Sequence, residues 1–218
     1  DGLEASARRA RYEALEKCAM ENNAVAILLG HTKDDQAETV LLGLARGSGA
    51  RSLSGMSNEN GIYLRPLLDI TRAQTVAACK ELNLDPWNDP HNEDESFLRV
   101  RARKKVLPIM ENELGPGIRD ALVRSAQLLC DDADALDALA KEFWQQDRSL
   151  EVSPLAALPK AIRTRVLRLA LFESGVSQLS AEQVAQVEAL ISNWKGQGEV
   201  SLPAGVKVSR ISGRLTLS

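Results

Sequence analysis

Residues 24–39 read Ala24-Val25-Ala26-Ile27-Leu28-Leu29-Gly30-His31-Thr32-Lys33-Asp34-Asp35-Gln36-Ala37-Glu38-Thr39, an apolar run that breaks at a glycine and turns acidic. The run has strand length and no alternation, as expected of a strand covered on both faces. After Gly30, a helix is expected from Lys33 to Arg46, with Leu41, Leu42 and Ala45 inward and Gly47 as its stop. Strand, short turn and helix define a corner at the carboxyl edge of an open α/β sheet, where ligands bind. Thr32 can cap the helix, and Asp34 and Asp35 suit its positive end. Capping alone does not require Glu38, which follows Asp34 by four residues and Asp35 by three. All three carboxylates can therefore gather on one helical turn. Crowded acids need a cation among them, whether an ammonium, a guanidinium or a divalent metal. His31 could join a metal site, but His91 is the one other histidine, so a transition metal fits the pattern poorly.

The pattern around this corner is α/β. A helix is expected over 3–21, with Leu3, Ala7, Ala10, Ala14, Leu15 and Cys18 on its inner face. Gly47-Ser48-Gly49 and 55–58 read as loops. Residues 62–68 read as an edge strand or extended segment, because Pro66 cannot donate to a ladder. Thr71 caps a helix through Glu81, residues 85–96 form a turn-rich loop, and a further helix is interrupted at Pro108. Alternating helices and strands give a partial Rossmann-like domain with a mainly parallel sheet, of which only about two strands are visible. Gly115-Pro116-Gly117 is the strongest boundary signal, so the expected domains are 1–114 and 118–218. The second is mainly helical, over 118–146, 159–174 and 180–194, and closes with a small β meander.

Composition limits the functions available. The chain has 218 residues, 44% hydrophobic and 26% charged, and a net charge of −3, which fits a folded soluble protein. The apolar run over 24–29 is too short to span a bilayer. With no charged-then-apolar leader at residue 1, a cytoplasmic location is expected. Cys18, Cys79 and Cys130 are odd in number and far apart, which argues against a disulfide framework, and all three are expected as small buried hydrophobes. A polyanion would have to be met locally. Two clusters could do so: Arg99, Arg101, Arg103, Lys104 and Lys105, and then Lys160, Arg163, Arg165 and Arg168. The odd-numbered arginines 99, 101 and 103 cannot share one helical face, so at least one should brace the fold while another meets ligand.

These blocks resemble the tRNA(Ile)-lysidine synthetases, a family of PP-loop (N-type) ATP pyrophosphatases. GHTKDDQAET, with the RGSG segment after it, is similar to the family's G-H-x-x-D-D-Q-x-E-T signature. EASARRARY (4–12), RPLLDITRAQ (65–74) and the 88–114 block resemble further family segments, and 202–210 resembles the β segment that closes its helical domain. The family's activity is ATP-dependent: it adenylates the wobble cytidine of an isoleucine tRNA with a CAU anticodon, and the amine of free L-lysine then displaces AMP. The resemblance implies lysine recognition at Asp35 and Glu38 with Asp34 beside them, and ATP contact at Arg11, Arg8 and His31. It also implies Arg103 at the reacting nucleotide, with Arg99 and Arg101 near substrate. Lys160, Arg163 and Arg168 are the expected tRNA-facing stripe, and the acidic 131–137 run, which would repel RNA, is expected to face away from the tRNA.

Some features depart from the family pattern. The phosphate-binding loop S-G-G-x-D-S, and the aspartate that helps hold Mg²⁺, are expected before residue 1, so the chain as written is expected to be inactive alone. Val100 stands where asparagine is usual, and Thr32 replaces the second residue of a His-His pair. The family's dimerisation leaves a homodimer open. Two other functions are compatible with the residues: another PP-loop tRNA modifier such as a thiolase, which the cysteine spacing disfavours, or a non-catalytic tRNA-binding module.

Overall fold

A computed structural model describes residues 3–47, 49–177 and 179–218; Ser48 of the first expected glycine loop lies outside them. The chain divides into two compact units, Asp1–Cys130 and Asp131–Ser218.

In the first unit, α1 (Leu3–Glu21) leads into β1 (Ile27–Leu28), then α2 (Lys33–Ala45) and α3 (Ala50–Leu53). Next come β2 (Glu59–Asn60), β3 (Tyr63–Leu64) and α4 (Arg72–Glu81). The sheet order is β1-β3-β2, with β1 parallel to β3 (Ile27 opposite Tyr63) and β2 antiparallel to β3. The segment expected at an edge is thus central. The ladder ends at Leu64, so Pro66 never has to donate to it. The hairpin that adds β2 turns through Gly61 at φ 60°, a conformation glycine adopts without a Cβ clash.

Burial corrects several expectations. β1 is covered on one face only: Ile27 is buried, whereas Leu28, on the opposite face, is exposed, because nothing among the described residues packs on that side. Helix α1 docks through Tyr12, Leu15 and Ala19 against Ile27 and Tyr63, while Ala7, Ala10 and Ala14 stay exposed. Helix α2 buries Ala37, Val40 and Gly43 in place of Leu41, Leu42 and Ala45. Cys18 is exposed and Cys79 and Cys130 are partly so, so none of the three is a buried hydrophobe.

Beyond the 85–96 loop, α5 (Leu98–Arg101) continues through a π turn (Ala102–Val106) into α6 (Leu107–Glu113). Pro108 does not stop the helix. It has no N–H for the carbonyl of Lys104, and the backbone widens before it, with Leu107 N–H reaching Ala102 carbonyl. Helix α7 (Ile118–Gln146) begins in the first unit and ends in the second.

The second unit adds α8 (Val152–Ala157), α9 (Lys160–Glu173) and α10 (Ala181–Ser192). An antiparallel sheet follows, β4 (Val200–Ser201), β5 (Lys207–Ile211) and β6 (Arg214–Leu217), ordered as a meander. Leu155, Val166, Leu167, Val187, Leu190 and Val208 are buried in one core with Trp144. Each such side chain contributes about 1.5–3 kcal/mol on leaving water. Helix α8 was not expected from the sequence: a single turn and a half is too short to show periodicity.

Candidate active site

The acidic corner is built by the first turn of α2. Thr32 enters it extended, at φ −106°, and the Asp35 carboxylate folds back to accept from the Thr32 N–H and hydroxyl, both at 2.8 Å. Asp34 points the other way and accepts from the N–H of Arg72, the first residue of α4, at 2.8 Å. Its second oxygen is 3.7 Å from Nε of Arg119. The Arg72 guanidinium stands 3.5 Å from Asp35 Oδ1. The cations that crowded acids require are therefore supplied, in part, by the protein's own arginines.

Glu38 lies one turn further on, with no exposed surface. Arg99 Nε approaches Oε2 to 3.2 Å without hydrogen-bond alignment, while its Nη2 donates to the Thr39 hydroxyl at 2.6 Å. Neither Glu38 oxygen accepts a hydrogen bond, and Nδ1 of His31 and Nε of Arg65, Arg72 and Arg99 are also buried without a partner. Such a concentration of unmet polar atoms is costly and singles this corner out as the candidate site of the first unit. Burial, with Asp35 adding to it, pushes the Glu38 carboxyl up to about 7 against the pull of Arg99, Arg103 and Arg72. Burial holds the His31 imidazole below its ordinary range; Asp35 opposes this, and Arg65, Arg99 and Arg8 reinforce it. The corner therefore combines a carboxyl that titrates near neutrality, a neutral imidazole and fixed guanidinium charge. It can accept a proton or bind an ammonium group.

The other expected residues divide between this corner and elsewhere. Arg99 is at the site. Arg101 braces the preceding loop, donating to the carbonyls of Glu95 and Ser96 at 2.7 and 2.8 Å. Arg103 donates to the Asn92 carbonyl, yet its charge still reaches Glu38. Lys104 and Lys105 pair with Glu93 and Glu95. Arg8 and Arg11 are exposed on α1, their guanidinium groups 4.9 and 5.8 Å from the Tyr12 ring centroid. Tyr12 in turn packs on Tyr63 at 4.9 Å.

In the second unit Lys160 and Arg168 are exposed, as an RNA-facing stripe needs. Arg163 is not part of that surface. It is buried, donating from Nε to Glu188 at 2.9 Å and from Nη1 to the Leu158 carbonyl at 2.9 Å. Its position on α9 turns it towards α10, where Glu188 would otherwise be an unpaired buried charge. Asp137, from the acidic run, pairs with Arg165 of the basic stretch at 2.6 Å.

Arg65, Arg72 and Arg119 escaped the sequence reading. Arg119 and Asp34 are far apart in the chain, and neither periodicity nor local charge pattern joins them. Among the described residues, no group of three or more His, Cys, Asp or Glu could hold a metal ion. The three carboxylates face arginines that would repel a divalent cation, so they do not fit Mg²⁺ as ligands. No helix among the described residues is long and apolar enough to cross a membrane.

A family model described as "PP-loop domain" matches residues 1–110, half of the chain, and the fold and acidic corner accord with it. The chain is thus a PP-loop protein of the Rossmann-like class. A second model, "TilS substrate binding domain", matches residues 150–216. The tRNA(Ile)-lysidine synthase of Thermobifida fusca is 50% identical over 223 residues, covering all of this chain and 69% of that protein. The proteins of the same name from Leifsonia xyli and Streptomyces coelicolor are 51% and 49% identical, each over 99% of this chain and over 67% and 64% of their own lengths. The chain belongs to the tRNA(Ile)-lysidine synthase family, and it spans about two thirds of the length of these relatives.

Proposed function

We propose that the protein acts in ATP-dependent attachment of lysine to the wobble cytidine of an isoleucine tRNA. ATP would activate the base as an adenylate with release of pyrophosphate, and the lysine amine would then displace AMP. The observation that carries this reading is identity near one half, along the whole chain, to proteins of a single name, with both family models in order. The corner at Glu38 supports it chemically. Lysine is a cation, and a buried carboxylate with both oxygens lacking donors is suited to receive an ammonium group.

In this reading Asp35 and Glu38 recognise lysine, with Asp34 fixing α4 beside them, and Glu38 in its ionised form can hold the amine. Arg99 and Arg103 supply fixed positive charge for the adenylated nucleotide, and Arg8, Arg11 and His31 lie towards ATP. When bound, ATP supplies the leaving groups that activate the base; this chain's own residues bind, orient and adjust charge. These residues, facing arginines, do not provide ligands for Mg²⁺. Lys160 and Arg168 are the remaining tRNA contacts proposed in the second unit. Arg101, which holds the preceding loop, would act on substrate through that loop.

The test is incorporation of radiolabelled lysine into an isoleucine tRNA transcript by the intact protein, with the modified nucleoside identified by mass spectrometry after nuclease digestion. Label that depends on ATP and on a cytidine at the wobble position supports the reading. Equal labelling of a transcript carrying uridine there contradicts it.

A further inference from the structure

The acidic motif is held by an element that the motif does not contain. The Lys33 N–H donates to the Ile70 carbonyl at 2.9 Å, and two residues later the Arg72 N–H donates to Asp34 at 2.8 Å. Segment 70–72 is therefore tied by its backbone to segment 33–34 at two points. The first turn of α4 is fixed independently by a reciprocal cap: Thr71 N–H donates to the Gln74 side chain at 2.8 Å, and Gln74 N–H to the Thr71 hydroxyl at 3.2 Å. The Arg72 side chain, which is partly exposed, reaches back from this turn and brings its guanidinium to 3.5 Å from Asp35. Its Nε is buried without an acceptor, so charge, and not a full set of hydrogen bonds, keeps the head there.

We propose that Arg72 is a positioning residue for lysine use, holding Asp35 neutralised so that the neighbouring Glu38 can carry the charge that receives the substrate ammonium. The proposal rests on the reading that Asp35 and Glu38 recognise lysine.

The groups facing Glu38 fix the sign of the effect. Asp35, on its own helix, disfavours its ionisation; Arg99 from α5, Arg103 from the π turn and Arg72 from α4 favour it. Loss of Arg72 removes one favourable cation and leaves the Asp35 charge less opposed. Both changes keep Glu38 protonated to higher pH, and a protonated carboxyl is a poor partner for an ammonium group. Loss of Arg72 also removes a charge that repels lysine, which improves binding once Glu38 is ionised. The two effects separate on a pH axis: the first moves the midpoint of the lysine dependence, the second alters only its plateau at high pH.

The experiment is the KM for lysine from pH 5.5 to 9 in the intact protein, compared for wild type, Arg72→Ala, Arg72→Gln, Arg72→Lys and Glu38→Gln. The expected midpoint lies at higher pH in Arg72→Ala than in wild type, since that variant loses a cation favouring ionised Glu38, and near wild type in Arg72→Lys, which keeps it. Arg72→Gln keeps the side-chain stem and gives the same shift should the alanine variant fail to fold. An unchanged midpoint in the uncharged variants overturns the role of Arg72. A lysine KM unaffected by Glu38→Gln at every pH overturns the underlying reading instead, so the two failures are distinguishable.

Discussion

Arg99 Nε stands 3.2 Å from Oε2 of Glu38, a carboxylate that has no exposed surface and accepts no hydrogen bond. A buried acid normally collects donors that repay its desolvation. Here Arg99 gives its hydrogen bond to the Thr39 hydroxyl, leaving Glu38 poised between its charged and neutral forms.

Replacing Glu38 with Gln keeps the shape and removes the charge. An ammonium–carboxylate hydrogen bond contributes roughly 1.5–3 kcal/mol, so the lysine KM should rise about ten- to a hundredfold. Adenylation of tRNA in the absence of lysine should persist, because no lysine contact has yet formed. Steady-state KM together with release of pyrophosphate from ATP measures both. A lysine KM left at the wild-type value would remove Glu38 from substrate recognition.

The same carboxyl should make stability fall with rising pH. Its value moves from 4.5 to about 7 on folding, so the folded protein holds a proton that the unfolded chain has released. The contribution is fully present below about 4.5 and is lost as pH rises through about 7. Urea midpoints recorded across this window should decline less steeply in Glu38→Gln than in wild type. Identical slopes would mean that Glu38 ionises in the folded state much as it does in the unfolded chain.

Arg163 and Arg168 are close in sequence but should behave as opposites. Removing Arg163 strands the buried carboxylate of Glu188, at a cost of about 3–5 kcal/mol in stability. An Arg163→Met, Glu188→Leu pair should recover most of that loss, since no unpaired charge is left behind. Arg168→Ala should barely alter stability, but should lower the salt slope of tRNA binding by roughly one if the side chain meets phosphate. Chemical denaturation and binding titrations over a range of salt concentrations distinguish the two residues.

Local patterns in the sequence reached the elements but not their packing. The strand-to-helix corner, the Thr71 cap and the closing meander all depend on residues a few positions apart, which is why they were legible. Burial depends on what arrives from elsewhere. Helix α2 is turned towards Ala37, Val40 and Gly43 because α3 packs against it, and α1 meets the sheet through Tyr12 because Tyr63 is there. At the site, the acids could be read from their three- and four-residue spacing, whereas Arg72 and Arg119 reach them across long stretches of chain. Arg163 was misread for the same reason: its partner lies on another helix, and a basic run alone does not reveal which member turns inward.

Gly55 lies in the loop that follows α3, against Gln36 of α2, and it offers a test of how rigidly that loop is held. Gln36, buried next to the acidic pair, grips Met56 with both ends of its amide: Nε2 donates to the Met56 carbonyl at 2.9 Å, and Oε1 accepts the Met56 N–H at 2.7 Å. Gly55 makes this grip possible, since it sits at φ +71° and a Cβ there would lie 2.6 Å from Gln36 Oε1. Gly55→Ala should therefore cost about 1–3 kcal/mol from left-handed backbone strain together with the displaced amide. Gln36→Ala alone should cost about 1–3 kcal/mol, since it leaves the Met56 N–H and carbonyl without their partner. In the double variant the clash no longer exists, so the combined loss should be smaller than the sum of the two by at least about 0.5 kcal/mol. Urea denaturation of the four proteins closes this cycle. Strict additivity would place the whole cost of Gly55→Ala in its own backbone and leave Gln36 with no part in it.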